Sequence, residues 1–564
     1  MQDNAWWPSQ KSLFALLILL TTTSFTTALA DEDGPAGASA HILQAEIALQ
    51  RKEYLKATTE YRRAAEQSDS VELARKATRM GFSYGFNEEA LLAAKRWQKL
   101  DKDSDEARAF LGQLYFRLDD LRNARRQFAR LIKAEPDDPG DRLLSLVAYL
   151  SEEDMPERAD ELMRALAKPY KDSAKAHYAV AVLALRAGDS EHASERAQKS
   201  MQLDPDFIRP HLLYARALMF DGDSEEAIEY LAHLIGDSPQ PDPDARMELA
   251  LMYMLSGRDD DALSQVNQVL LEQSGRLDAL RLMAIINFRL ERLDAAWDDF
   301  QDLLASGQYR MDALYYLARI ADYREQYERA VRLYREVRYG SNTLFSQRRA
   351  SALLAHRLDD VDGAFELLEE FAESSPDNAV EVVMLKAQLL VSLERYDEAL
   401  DYYDKAIKYR PENENMILGR CDLLIRSGRI DEAIAEYRKA LQRWPDSSLT
   451  LNALGYTLAD KTEQYAEAEK LIRRALELNP DNPAIIDSMG WVLYKLGQHE
   501  AALEQLELAF EGMADHEVAA HIVEVLAELG REDEALEVLL AAEKKNPDSK
   551  LLEDVRARYF DEAP

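Results

Sequence analysis

Apolar side chains in this chain recur at helical spacing and are broken by short polar turns. Ile486, Met489 and Leu493 fall at i, i+3 and i+7, one face of an α-helix. The stretch 487–502 around them reads DSMGWVLYKLGQHEAA. Its serine, aspartate and histidine invite a catalytic reading, but the periodicity argues against one. Asp487 and Ser488 lie on helical turns with no strand to build a nucleophile elbow, and His499 falls in the turn that follows. The pattern predicts helices throughout and no strand-rich region.

Gly490 and Ala502 stand twelve residues apart, and that pair recurs. Ladder alanines stand at Ala57, Ala90, Ala124, Ala159, Ala193, Ala227, Ala262, Ala296, Ala330, Ala364, Ala399, Ala433, Ala468, Ala502 and Ala535, in steps of 33 to 35 residues. A small residue often precedes each by twelve, as at Ala45, Gly112, Ala181, Ala215, Ala250, Ala284, Ala352 and Cys421. An aromatic often follows by four, as at Tyr61, Phe128, Phe300, Tyr334 and Tyr437, and a proline by twelve, as at Pro136, Pro205, Pro411 and Pro480. Small residues suit places where two helices approach closely. The aromatic fills the gap to the next unit, and proline ends the second helix because it cannot donate a backbone hydrogen bond.

With this spacing the chain resembles the tetratricopeptide repeat family, whose 34-residue unit is a helix hairpin. The resemblance implies an all-α solenoid, about fifteen hairpins over 38–548 in a superhelical spiral, with a capping helix and tail over 549–564. A hairpin alone has too little core and needs its neighbours. The match is stronger from Val361 onward and weaker between Ser70 and Ala174.

The N-terminus adds a different signal. Residues 12–20 (SLFALLILL) are apolar behind Lys11, and Ala28-Leu29-Ala30 supplies a small-x-small cleavage site. The run is shorter than the roughly 20 residues a membrane span needs. The expectation is an export signal over 1–30 cleaved after Ala30, a linker over 31–37, and a periplasmic mature chain without a transmembrane segment. Cys421 is the only cysteine, which excludes an intramolecular disulfide and supplies no lipidation cysteine after the apolar run.

Charge then divides the chain. The formal net charge is −35, which disfavours nucleic acid as a partner. Residues 51–133 nevertheless carry 19 Lys and Arg against 13 Asp and Glu. Within them Arg122, Arg126 and Arg130 form one helix stripe, with Arg125 and Lys133 alongside, a candidate docking patch.

Other chemistry is thin. HEVAAH at 516–521 nearly matches a zinc-protease motif, but five residues set His516 and His521 about 140° apart around a helix. His41, His177 and His211 take the first apolar-stripe position of their units. No phosphate loop, paired-cysteine motif or catalytic domain stands out, so no enzyme, metal or cofactor is expected. The lysine/asparagine clamp by which some family members hold carboxyl-terminal peptides is missing from the matching first-helix positions.

Binding remains, through residues beside the core stripe of the first helices. These are Met219, Met254 and Phe288 in the middle, and Tyr456, Trp491 and Tyr494 near the end. The block 452–497 resembles part of a proteobacterial group of exported repeat proteins, including lipoprotein adaptors that present clients to a carboxyl-terminal processing protease. The resemblance implies a periplasmic adaptor, with protease and clients as partners. A scaffold for polysaccharide export or envelope assembly is the alternative.

Overall fold

The computed structural model describes residues 36–134 and 139–560. Among the described residues there are 31 α-helices, two short 3-10 turns and no strand. Successive helices pair as hairpins, from Ala36–Gln50 with Tyr54–Glu66 to His516–Glu528 with Glu532–Lys545, and a last helix, Lys550–Tyr559, follows. They form two compact units, one ending at Ala296 and one beginning at Trp297.

One hairpin shows why the sequence folds this way. Asn482 caps helix Pro483–Lys495, its Oδ1 accepting from the Ala484 and Ile485 amides. Pro483 stands at the helix start, where no amide is needed. Gly497 turns the chain with φ 76°, a left-handed conformation that costs glycine little. Helix His499–Gly512 then returns. A Cβ on Gly490 would lie 2.6 Å from Leu506 Cγ and 3.1 Å from the Ala502 carbonyl oxygen, so the contact admits only glycine.

The same contact holds the array. Every ladder alanine from Ala57 to Ala535 is fully buried. Tyr61, Phe128, Phe300, Tyr334 and Tyr437 are buried beside it. Pro205, Pro411, Pro445, Pro480 and Pro547 each stand just past the end of a second helix. One position departs from the expected register. Ala352 is only half-buried, and Ser351 takes the buried place. The turn there spans one residue more: the Asp360 amide reaches back to the Leu354 carbonyl, where the next unit pairs Arg395 with Leu390.

No described helix is long and apolar enough to cross a membrane. The expected export signal over 1–30, residues 31–35 of its linker and Pro136 lie outside the described residues, and the linker's last two residues, Ala36 and Gly37, already belong to the first helix.

Candidate functional site

Helix Leu121–Ala134 buries Ala124, Phe128 and Ile132 and turns its cations outward. Asp120 caps it by accepting from the Asn123 amide. Hydrogen bonds from Asn123, with Arg122 and Arg126 close by, hold the Asp120 carboxyl below its usual value. Arg122, Arg125, Arg126, Arg130 and Lys133 are all exposed. Among the described residues none of them makes an ion pair with a carboxylate, whereas nearby cations do: Arg117 with Glu153 at 2.8 Å, Arg158 with Asp119 at 3.1 Å, Arg164 with Asp160 at 2.6 Å. Like charges at i, i+4 on a helix cost about 0.2–0.5 kcal/mol per pair. The stripe thus carries a local penalty that, among the described residues, only the nearby Asp120 carboxylate eases, without forming an ion pair.

Between this helix and Pro156–Ala167 lies an open groove of about 440 Å³. Arg122, Arg125 and Arg126 line it from one helix and Glu161 from the other, with Leu121, Ala129, Leu162 and Ala165 supplying apolar surface.

Met219, Met254 and Phe288 are half-buried on successive first helices. Beside them stand Phe220, Leu251 and Leu255, which sequence reasoning missed and which are 63%, 37% and 65% exposed. Phe220 and Leu255 each follow a buried small residue, Ala215 or Ala250, by five. That repeated offset was a signal available in the sequence. Arg216 ties the two helices together, its Nε donating to Glu248 Oε1 at 2.7 Å and its Nη2 to Oε2 at 2.5 Å.

The C-terminal aromatics are placed differently from expectation. Trp491 is buried, not an open groove contact. Its ring stacks on His521 with centroids 4.1 Å apart, its Nε1 donates to Asp460 Oδ1 at 3.3 Å, and the Lys495 ammonium sits 4.2 Å over it. The Tyr456 hydroxyl donates to Glu517 Oε1 at 2.9 Å, passing the intervening first helix. Tyr494 packs against Trp491 with ring centroids 5.1 Å apart and lies beside Tyr559. Burial, reinforced by Glu517, pushes the Tyr456 hydroxyl well above its ordinary value, and burial with Tyr559 does the same for Tyr494. These three side chains are brought together, but as cross-links between neighbouring units.

Chemistry elsewhere is quiet. Ser488 Oγ donates to the Ala484 carbonyl of its own helix at 2.9 Å. His521 faces inward to Asp487, and His516 is half-buried beside Asp515. Burial, with Glu436 nearby, pushes the Cys421 thiol up to about 12, which keeps it protonated and unreactive.

Stacked helix hairpins with a buried small-residue seam, bearing one basic and one apolar open face, define a helical repeat protein of the binding kind. Profiles of the tetratricopeptide repeat match residues 23–72, 109–138, 218–286, 384–448, 418–483 and 461–520. The chain belongs to the tetratricopeptide repeat family. TPR repeat-containing protein PA4667 of Pseudomonas aeruginosa is 34% identical over 215 residues, covering 38% of this chain and 36% of that protein. The chain therefore matches about a third of that relative's length.

Among solved structures, the APC/C hetero-tetramer Cut9–Hcn1 contains a chain 15% identical, covering 95% of this chain and 98% of that one, with a TM-score of 0.32. Yeast Tom70 is 14% identical, covers 92% and 96%, and has a TM-score of 0.33. TTC0263, a thermophilic TPR protein of Thermus thermophilus, is 23% identical, covers 32% and 96%, and scores 0.29. At these identities and scores the likeness says nothing of partners.

Proposed function

We propose that this protein is a non-enzymatic adaptor of the periplasm that brings client proteins to a carboxyl-terminal processing protease. The supporting observation is the separation of two unlike surfaces. Cations without an ion pair among the described residues gather on helix Leu121–Ala134, while Phe220, Leu251 and Leu255 stand exposed on helices Ile208–Asp221 and Pro243–Leu255. A basic patch speeds and orients the encounter with an acidic partner. Exposed Leu and Phe beside Met219 and Met254 suit an adaptable apolar grip on clients. Because Trp491, Tyr456 and Tyr494 are engaged within the fold, the client surface moves from them to this middle region. Holding two partners on one chain raises the local concentration of client at the protease, which is all an adaptor without chemistry needs to do.

The small-x-small site at Ala28-Leu29-Ala30 and the resemblance of 452–497 to exported adaptors support the compartment and the partner class. Crosslinking in cells, followed by identification of what is captured, tests the reading. A processing protease among the captured proteins supports it. A synthase or export channel without the protease overturns it in favour of the envelope-assembly scaffold.

A further inference from the structure

We propose that the groove between helices Leu121–Ala134 and Pro156–Ala167 seats an amphipathic helix of the partner protein, carboxylates toward the arginines and apolar face inward. The proposal deepens the reading above, in which the basic end receives one of two partners. The groove has the chemistry of a helix seat. Its walls come from two packed helices, and a ridge of side chains from a third fits such a furrow. Leu121, Ala129 and Ala165 are half-buried in it, leaving apolar surface with small side chains and room of about 440 Å³ above them. Arg122 and Arg126 stand one turn apart, matching carboxylates at i and i+4 on an incoming helix.

Among the described residues no carboxylate pairs with these arginines, although Asp120 lies near two of them. Glu161, across the groove, is already held by Arg158 at 3.0 Å and takes none of the three arginines. In a chain with 104 acidic and 69 basic residues, three neighbouring arginines without an ion pair among the described residues point to a carboxylate from outside. Charge also selects among occupants. Membranes and nucleic acid are broad anionic surfaces that would meet the acidic remainder of the chain as well. A single helix reaches into the groove and can turn its carboxylates to the arginine wall, away from Glu161 on the other.

The test uses the full chain and a fluorescent synthetic helix with glutamates at i, i+4 and i+8 beside a leucine stripe. Its glutamine counterpart and phosphatidylglycerol vesicles serve as the other arms. Anisotropy should show binding of the glutamate helix that weakens with salt and falls roughly tenfold or more with the glutamine helix. It should fall similarly in R122E/R125E/R126E. Ala129→Trp, which fills the groove and keeps the charges, should also lose binding, while Arg79→Glu, outside the groove, should not. Circular dichroism checks that each variant is folded. Equal binding by the reversed variant, unchanged binding by Ala129→Trp, preference for the vesicles, or no binding of the glutamate helix would each overturn the proposal. Helix docking without any captured protease would sink the adaptor reading alone. Protease capture that survives R122E/R125E/R126E would sink this one alone.

Discussion

Trp491 and His521 lie face to face, ring centroids 4.1 Å apart and planes 24° from parallel, and His521 Nδ1 meets Asp487 Oδ1 at 2.9 Å. The three side chains join helices Pro483–Lys495 and His516–Glu528 through a buried layer. Truncating Trp491 to alanine removes the ring that covers a buried polar pair. The expected loss is about 3–5 kcal/mol, as for a large core aromatic. Hydrogen exchange should quicken first in those two helices. A variant of wild-type stability would show that the ring is not structural.

Ala433 is fully buried in its helix seam. Ala433→Glu forces a charge into a fully buried seam with no space for it. The predicted cost is several kcal/mol, at least ~3. Because each hairpin leans on its neighbours, exchange should rise around helices Glu414–Arg426 and Ile430–Arg443 and fade with distance. A uniform change along the chain, or none, contradicts the register.

The seam was legible in the sequence because close helix approach forces small side chains at a fixed interval. The ladder from Ala57 to Ala535 carries that constraint at every step. Ala352 failed by one place because turn length is set by backbone hydrogen bonds such as Asp360 to Leu354, which composition does not encode. Trp491 failed for another reason. Helical periodicity tells which face a residue occupies, but not that His521 of the next unit lies across it. Phe220 and Leu255 share an offset of five from Ala215 and Ala250, but the offset alone does not tell an exposed apolar side chain from one packed on the next unit. The unpaired state of Arg122, Arg125 and Arg126 needed coordinates, since the sequence offers many carboxylates as partners.

His177 is buried and His211 half-buried, and burial holds both below the usual imidazole value. An unfolded histidine titrates near ~6.5. Below that point the unfolded chain takes up protons that the folded chain resists, so stability falls as pH falls toward the folded values. Above ~6.5 the contribution is complete. Thermal unfolding of the unit ending at Ala296 should therefore shift to lower temperature between about pH 7.5 and 5.5, and His177→Gln with His211→Gln should flatten the trend. The same slope in that double variant would assign the effect to other groups.

The basic stripe makes stability and binding move in opposite directions. Arg126→Glu replaces two like-charge neighbours, Arg122 and Arg130, with two favourable i, i+4 pairs. Set against the lost attraction to Asp120, the exchange should raise stability by about 0.5–1 kcal/mol at low salt. The same change should weaken capture of the partner. Destabilisation by this variant would mean that the arginine serves the fold.

The most direct test reconstitutes client turnover by a purified processing protease with and without this protein. The account predicts that wild type accelerates degradation. R122E/R125E/R126E should lose that acceleration through weaker, less salt-dependent protease binding. F220S/L251S/L255S should lose it through weaker client binding with the salt dependence unchanged. Wild-type protein that leaves the degradation rate unaltered would contradict the adaptor account.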